Sequence, residues 1–219
     1  MMKSLITACI LASILLLCAG QAFAQTEFGI GPIVGVNFGT ASVTPNLGLG
    51  VTQGGHTGLM IGAQAELGFA KMFYIVMEPL YCGKGFSATF QGGTATATAS
   101  EIDIPVLFKV KFMKGIIRPY AFAGPEIGFV MSSTLSITGR ADQDIKSQIS
   151  STDFAIDFGG GAEYNVTPKI GITLDVRYSV GVGNMANPPA AGTAVGGLGS
   201  TNITLSGFQV LAGVMFHVD

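Results

Sequence analysis

The sequence KIGITLDVRY, at positions 169–178, alternates strictly between two kinds of side chain. One register is apolar, with Ile172 and Leu174, and the other contains Asp175 and Arg177. Successive side chains of a β-strand point to opposite sides, so this period of two predicts a strand with one apolar face and one polar face. The alternation alone does not say which face meets water. A soluble barrel buries its apolar face, whereas a membrane barrel turns that face toward lipid.

The same pattern recurs along the chain and predicts eight strands. They lie near 27–39, 57–70, 72–85, 101–113, 117–131, 152–165, 168–180 and 203–218. Each is long enough to cross a bilayer, which takes about 9 to 11 tilted residues. After the first 25 residues, no apolar run approaches the length of about 18 that indicates a membrane helix. The sequence therefore predicts an all-β fold, an eight-stranded antiparallel up-and-down transmembrane β-barrel.

The connections between these predicted strands alternate in length. Short turns are predicted around 70–71, 113–116 and 165–168. Long loops rich in Gly, Ser, Thr, Ala and Asn are predicted at 40–56, 86–100, 132–151 and 181–202. Outer-membrane barrels have short periplasmic turns and longer extracellular loops, and an even number of strands leaves both termini in the periplasm. We therefore expect the long loops to be extracellular.

Aromatic residues of the apolar register lie near both ends of the predicted strands. Those beside short turns or the C-terminus are Phe69, Phe73, Phe112, Tyr164 and Phe216. Those beside the long loops are Phe38, Tyr81, Phe129, Phe154, Tyr178 and Phe208. Two such girdles are typical of the two interfaces of a membrane, whereas a soluble core has no reason to sort its aromatic residues in this way. The apolar face of 169–178 is therefore predicted to face lipid.

Almost every charged residue of the predicted strands falls in the opposite register, which faces the lumen. This predicted network consists of Glu66, Glu78, Asp103, Lys109, Lys111, Arg118, Glu126, Asp157, Glu163, Asp175 and Arg177, with Gln64 and Asp153 in the same register. Side chains fill an eight-stranded lumen, so isolated charges would be costly there and should form pairs. The available cations are Lys109, Lys111, Arg118 and Arg177. We interpret the set as a structural ion-pair network. A proton or ion path, or a catalytic carboxylate pair, is the alternative, and no specific spacing supports it.

The composition agrees with a membrane protein and excludes several functions. Only 11% of the 219 residues are charged, against about 25% in ordinary soluble domains. The formal charge of −2 comes without a basic patch, so nucleic acid is not an expected partner. No catalytic, cofactor or metal site is predicted. His56 and His217 belong to opposite ends of the barrel, and Asp142 and Asp144 lack the rest of a calcium loop.

The amino terminus has the organisation of a secretory signal peptide. Lys3 is followed by an apolar run and then by Ala22-Phe23-Ala24. This order predicts a signal peptide at 1–24 and a barrel domain at 25–219. The protein is therefore expected to be exported.

The three cysteines give no disulfide framework. Cys18 follows Leu17, whereas a lipoprotein signal usually has a small residue at that place, so lipid attachment is the less favoured alternative. Cys9 and Cys18 should leave with the signal peptide. Cys82 then stands alone, which excludes an intramolecular disulfide and favours a structural role.

Four longer stretches of the chain carry a family resemblance. They are GLMIGAQAELGFAKMFYIVMEPLYCGKGF, SEIDIPVLFKVKF, IRPYAFAGPEIGFVMS and DFGGGAEYNVTPKIGITLDVRYSVGVGNM. Their most specific pieces are Glu78-Pro79-Leu80-Tyr81 with Gly83-Lys84-Gly85, Ile104-Pro105, Arg118-Pro119-Tyr120 with Gly124-Pro125, and Arg177-Tyr178 followed by Gly181 and Asn184. In this order they resemble the PorT-like outer-membrane β-barrel family of Gram-negative bacteria. The ending departs from the pattern, because outer-membrane strands commonly finish on an aromatic residue and here three residues follow Phe216.

The resemblance implies an eight-stranded barrel without catalysis and a link to protein secretion. We therefore expect a non-enzymatic integral protein of the outer membrane that serves envelope assembly, secretion or surface contacts through long extracellular loops. Its expected partners are outer-membrane lipid and secretion or envelope proteins, no cofactor is expected, and the oligomeric state stays open. The first alternative is a narrow small-solute or ion channel, which a lumen filled by side chains disfavours. The others are a lipid-modifying enzyme, for which the separated histidines supply no catalytic group, and a soluble periplasmic ligand-binding barrel.

Overall fold

The computed structural model of the protein describes residues 27–44, 52–69, 72–183 and 202–218. Several predicted segments lie outside these ranges: the signal peptide at 1–24, the short turn at 70–71, residues 45–51 of the loop at 40–56, and most of the loop at 181–202. No helix within the described ranges is long and apolar enough to cross a membrane.

The described chain is built almost entirely of β-strands. They are β1 (Glu27–Thr44), β2 (Thr52–Phe69), β3 (Phe73–Met77), β4 (Leu80–Phe90), β5 (Gly93–Lys111), β6 (Ile117–Ile137), β7 (Gln143–Asp144), β8 (Thr152–Thr167), β9 (Ile170–Gly181) and β10 (Asn202–Val218). A short 3₁₀ turn at Lys146–Gln148 lies between β7 and β8. The segments in which apolar and polar residues alternate thus form strands, as the sequence predicts.

The strands close into an antiparallel ring with eight wall positions. β3 and β4 share one position between β2 and β5. The short strand β7 pairs with β6 at Thr134 and Leu135, beyond the stretch of β6 that pairs with β8. The other neighbours follow chain order, and β10 pairs with β1 from Val218 opposite Phe28 to Asn202 opposite Thr44. This last pairing closes the barrel, so the wall formed by the described strands has no free edge. The predicted eight-stranded antiparallel barrel is confirmed.

The wall position shared by β3 and β4 is interrupted at Glu78-Pro79. Proline has no backbone N–H and cannot donate to a strand ladder. The neighbouring strands maintain contact here, because the Glu78 N–H donates to the Pro105 carbonyl and the Ala63 N–H donates to the Pro79 carbonyl, both at 3.2 Å. The interruption therefore leaves the barrel wall closed.

The two faces of each strand differ in the direction that the sequence predicts. On β9, Leu174 is 55% exposed on the outside of the ring, whereas its neighbours Thr173 and Asp175 are 2% and 1% exposed in the lumen. The aromatic residues of both girdles are exposed on the outer face, except Phe69, which is half-buried and lies 6.1 Å from the Phe73 ring, centroid to centroid. The apolar register of 169–178 thus faces outward and its charges face inward.

The strands extend further than predicted at the end of the barrel with the long connections. The prediction of a loop at 86–100 is wrong, because β4 and β5 continue to a two-residue turn at Gln91-Gly92. β1 also continues to Thr44, and β6 continues to Ile137. The residues at 93–100 read GTATATAS, and their small side chains are typical of loops, but threonine is β-branched and pairs well across strands. Gly92 has a φ of 113°, which suits a tight turn that other residues adopt only with strain.

Candidate functional site in the barrel lumen

Apolar side chains fill part of the lumen. One cluster consists of Ile33, Met60, Leu80, Cys82 and Leu211. A second consists of Tyr74, Val76, Leu107, Tyr120 and Phe122. Cys82 is a buried free thiol within the first of these clusters, in line with a structural role. The lumen is therefore packed like a protein core, and its charged groups are held between apolar layers.

A lower cluster of charges lies at the short-turn end of the lumen, which the turns at 113–116 and 168–169 mark. The Lys111 ammonium donates to Glu66 and, at 2.6 Å, to Glu163. The Lys109 ammonium lies 3.2 Å from the Glu66 carboxylate. His217 Nε2 lies 2.6 Å from the second oxygen of Glu163. One chain of contacts thus joins β2, β5, β8 and β10 across the lumen.

Two tyrosine rings support the lysines of the lower cluster. The Lys111 Nζ lies 4.2 Å from the centre of the Tyr74 ring, and the Lys109 Nζ lies 4.3 Å from the centre of the Tyr120 ring. A cation over an aromatic face gains electrostatic stabilisation, most of all where water is excluded. The tyrosines therefore offset part of the desolvation of two buried ammonium groups.

Arg118 lies at the mouth of the lumen below this cluster. It donates to the Tyr74 hydroxyl, and its guanidinium is 3.5 Å from the Glu27 carboxylate. The Tyr74 hydroxyl in turn donates to Glu27 at 2.6 Å. An opening of about 580 Å³ at this end is lined by Arg118, Glu27, Asn165 and His217 among others. Arg118 is only half-buried, unlike the other cations that the sequence predicts in the lumen.

An Arg177 cluster occupies the middle of the lumen. The Arg177 guanidinium is 2.5 Å from Glu78, 3.5 Å from Asp157 and 3.9 Å from Asp175. The Tyr120 hydroxyl donates to Asp175. All three carboxylates and the guanidinium are excluded from solvent. A guanidinium presents five donors and stays charged, so it can serve several carboxylates at once.

A Lys84 cluster lies above Arg177, toward the long-connection end. The Lys84 ammonium is 3.0 Å from Asp103 and from Glu126, 3.1 Å from Glu101 and 3.6 Å from Asp153. Strands β4, β5, β6 and β8 supply these five side chains. One buried cation therefore faces four carboxylates and draws together one side of the barrel.

Lys84 and Glu101 are missing from the network that the sequence predicts. The prediction named four cations, and the structure places Lys84 among the buried ones as well. The signal was present in the alternation of the strands. Lys84 has the same parity as Glu78 across the Pro79 interruption, and Glu101 has the same parity as Asp103. Both residues lie near the long-connection ends of their strands, beside the predicted loop at 86–100.

The structure distributes the eleven predicted residues over three places. Glu66, Lys109, Lys111, Glu163 and, at the mouth, Arg118 belong to the short-turn end. Glu78, Asp157 and Asp175 surround Arg177. Asp103 and Glu126 belong to the Lys84 cluster. The predicted residues are thus arranged as separate layers of ion pairs and do not converge on one point.

The space that remains near Lys84 is small. A cavity of about 10 Å³ is bounded by Lys84, Asn37, Ser179 and Gln209 among others. A volume of this size holds about one water molecule. Asn37 reaches from β1 to donate to the Gly83 carbonyl on β4 at 3.1 Å. Among the described residues, no group of three His, Cys, Asp or Glu side chains is arranged to hold a metal ion.

These features define the class of the protein. A closed antiparallel ring with an apolar outer face between two aromatic girdles, and with its charges in the lumen, is an integral β-barrel of the outer membrane. Residues 9–216 match the family model described as outer membrane protein beta-barrel domain, and the chain belongs to this family. Its location is the outer membrane, where membrane lipid surrounds the barrel.

Solved structures show the same fold at low sequence identity. The outer membrane protein OprG from Pseudomonas aeruginosa is 12% identical, with a TM-score of 0.58 over 88% of this chain and 95% of that chain. Neisserial surface protein A (NspA) is 12% identical, with a TM-score of 0.50 over 88% of this chain and 98% of that chain. None of the curated proteins matches the chain. These likenesses concern the fold alone.

Proposed function

We propose that the protein is a non-enzymatic outer-membrane barrel with a closed lumen, which acts through the parts that project beyond the membrane. These parts would serve envelope assembly, protein secretion or surface contacts. The observation that carries the proposal is the filling of the lumen. The lower cluster, the Arg177 cluster and the Lys84 cluster follow one another along the barrel, and the cavity beside Lys84 has only about 10 Å³.

The resemblance to the PorT-like family supports the link to secretion. The charged residues of its motifs are Glu78, Lys84, Arg118 and Arg177, and all four make ion pairs inside the barrel or at its mouth. A role for these residues in holding the barrel together explains why the motifs contain them without any catalytic group. We also propose that residues 1–24 are removed as a signal peptide. The small residues Ala22 and Ala24 on either side of Phe23 are typical of a cleavage site and support this proposal.

The projecting parts are proposed to lie outside the cell. The turn at 113–116 and the turn at 168–169 are short, whereas the β4–β5 hairpin and the segment between β6 and β8 extend well beyond the girdle. Short periplasmic turns and long extracellular connections are the usual arrangement in outer-membrane barrels. A partner protein would therefore meet the barrel from the outside.

A narrow channel is the second candidate function. The opening of about 580 Å³ at the short-turn end would give a solute access to Arg118 and His217. Beyond these residues, a solute would have to displace the paired Lys111 and Glu163, which are both buried. Breaking a buried ion pair is costly, so the geometry favours the closed barrel.

The experiment is complementation of cells that lack the chain. We would remove residues 87–90 and 93–96 and keep Gln91-Gly92, because the pair of Phe86 and Ala97 then flanks the turn in the original register. The shortened hairpin leaves the charged clusters untouched, so the variant should reach the membrane in normal amount. It should fail to restore the wild-type pattern of secreted and surface proteins.

The matched control is Lys114→Ala, a change in an exposed residue of the short turn at 113–116. This variant should restore the pattern completely. Full restoration by the shortened hairpin, or an unchanged protein pattern in cells that lack the chain, would contradict the proposed function.

A further inference from the structure

The outer face of the β4–β5 hairpin carries hydroxyl groups where the lipid-facing strands carry apolar ones. Thr94, Thr96 and Thr98 occupy successive outward positions on β5, in the register of Ile102. Thr89 pairs with Thr94 and Ser87 pairs with Thr96 on β4. The alternate positions of β5 are alanines, in the inward register of Asp103, and Ala99 is buried. The strand thus keeps its two faces above the membrane, but the outer face changes from apolar to hydroxylic.

Strand β6 continues this surface on the other side of β5. Thr134 pairs with Thr98, and Ser136 pairs with Thr96. We call these side chains of β4, β5 and β6 the hydroxyl face. A similar pair, Thr40 and Ser206, lies above Phe38 and Phe208 on the opposite side of the barrel. The hydroxyl face therefore belongs to a wider band above the girdle.

The height of the hydroxyl face exceeds the headgroup layer of a phospholipid. Ile102 pairs with Tyr81 and with Phe129, which places it at the level of the upper girdle. With a rise of about 3.3 Å per residue and a tilt of about 40°, Thr98 lies about 10 Å above Ile102 and Thr94 about 20 Å above it. A phospholipid headgroup layer is only about 5 to 8 Å thick. A phospholipid headgroup therefore does not reach this surface, whereas a lipid with a larger polar headgroup does.

The chemistry of the hydroxyl face suits a saccharide. Its own side chains are uncharged, although Asp144 of β7 pairs with Thr134 at the edge of the face. Each hydroxyl can donate one hydrogen bond and accept two. Some of this capacity is used internally, as in the contact of 3.3 Å between the Thr89 and Thr94 hydroxyls, but free lone pairs remain. The threonine methyl groups add apolar contact. At the short-turn end, by contrast, Met113, Ile116 and Val166 are exposed and no hydroxyl band is present in the described residues.

We propose that the hydroxyl face binds the oligosaccharide headgroups of glycolipids in the outer leaflet. The inference rests on the proposed orientation, with the hairpin outside the cell. It is continuous with the established lipid-facing surface, because the same outward register of β5 passes from Ile102 to Thr94 without interruption. The headgroup would lie along the pleated face and exchange hydrogen bonds with the serine and threonine hydroxyls.

The test uses the full chain folded in phosphatidylcholine vesicles that contain lipid A with its core oligosaccharide. The protein is then purified, and native mass spectrometry measures how much glycolipid it retains. The combined change Thr94→Val, Thr96→Val and Thr98→Val keeps the shape and the β-branching but removes three hydroxyls. It should lower the affinity about tenfold, which corresponds to about 1.4 kcal/mol and lies within what three neutral hydrogen bonds contribute.

The matched control is Thr94→Ser, Thr96→Ser and Thr98→Ser, which keeps the hydroxyls and should bind as the unchanged chain does. Lipid A without its core oligosaccharide offers the same phosphates and acyl chains, and it should be retained poorly. Equal retention of the two glycolipids would overturn the proposal, as would unchanged binding by the valine variant or equal loss in the serine variant. Both leaflets of the vesicle contain glycolipid, so the outcome does not depend on the orientation in cells, which thiol labelling of whole cells tests separately.

Discussion

Arg177 connects four parts of the barrel wall through one side chain. It extends from β9 to Glu78 at the interruption between β3 and β4, and to Asp157 on β8. Its guanidinium also lies 5.3 Å from the centre of the Phe122 ring on β6. Burial removes the hydration of a charged group. Removing one member of the cluster therefore leaves the other charges buried without a partner, which costs free energy of folding. The stability of the wall therefore depends strongly on this residue.

Arg177→Ala should lower the free energy of unfolding by about 3 to 5 kcal/mol, the range expected when one partner of a buried ion pair is removed. The reason is that Glu78, Asp157 and Asp175 would lose their nearest cation in the described lumen. The measurement is urea unfolding of the protein in lipid vesicles. Arg140→Ala is the control, because Arg140 is exposed between β6 and β7. Equal stability of the two variants would show that the Arg177 cluster is not structural.

At the scale of the strands, β9 is the element in which the sequence and the structure agree most simply. Its outer residues Ile172, Leu174 and Val176 are exposed, and the residues between them are buried. The alternation continues along the strand without a break. The period of two defines such a strand completely, and the aromatic girdles decide which face is outside.

Leu174→Arg should lower the free energy of unfolding by about 2 to 4 kcal/mol, because it places a charge on the lipid face near the middle of the membrane. Val182→Arg is the matched control on the same side of the chain, just after the end of β9, where a cost of about 0 to 1 kcal/mol is expected near the interface. The measurement is the folded fraction in vesicles as a function of urea. A cost at position 182 as large as that at position 174 would contradict the assigned membrane depth.

The ends of the strands and the partners of the buried charges are not fixed by local sequence. The hairpin at 86–100 has the composition of a loop, and only pairing with β2 and β6 shows that it is a sheet. Lys84 follows the interruption at Glu78-Pro79. It points inward only if the alternation of inward and outward residues continues unchanged past Pro79. Local pattern therefore predicts the ring and most of its interior charges. Cross-strand contacts decide the strand ends and which charge meets which partner.

At the scale of the whole molecule, the two ends of the barrel differ in length and in chemistry. The short-turn end has apolar exposed residues such as Met113 and Ile116, and the other end carries the hydroxyl face and the segment with β7. Such an asymmetry fits a membrane whose two leaflets and two aqueous sides differ. The proposed orientation, with the long connections outside the cell, rests on this asymmetry.

In a background in which Cys82 is replaced by alanine, an impermeant thiol reagent added to whole cells should modify Ser147→Cys. It should leave Lys114→Cys unmodified until the cells are broken. Both positions are exposed, one between β7 and β8 and the other in the short turn after β5, so access to the side chain is not limiting in either. The opposite pattern of labelling would reverse the proposed orientation.

We propose that the lumen is a packed, ion-paired core and not a path for solutes. The most direct test is electrical recording of the purified, folded chain in a planar lipid bilayer. We expect no resolved single-channel current, because the Lys84, Arg177 and lower clusters follow one another along the lumen and the cavity beside Lys84 has about 10 Å³. A stable stepwise current that scales with salt concentration, and that changes when Arg177 or Lys84 is replaced, would contradict it.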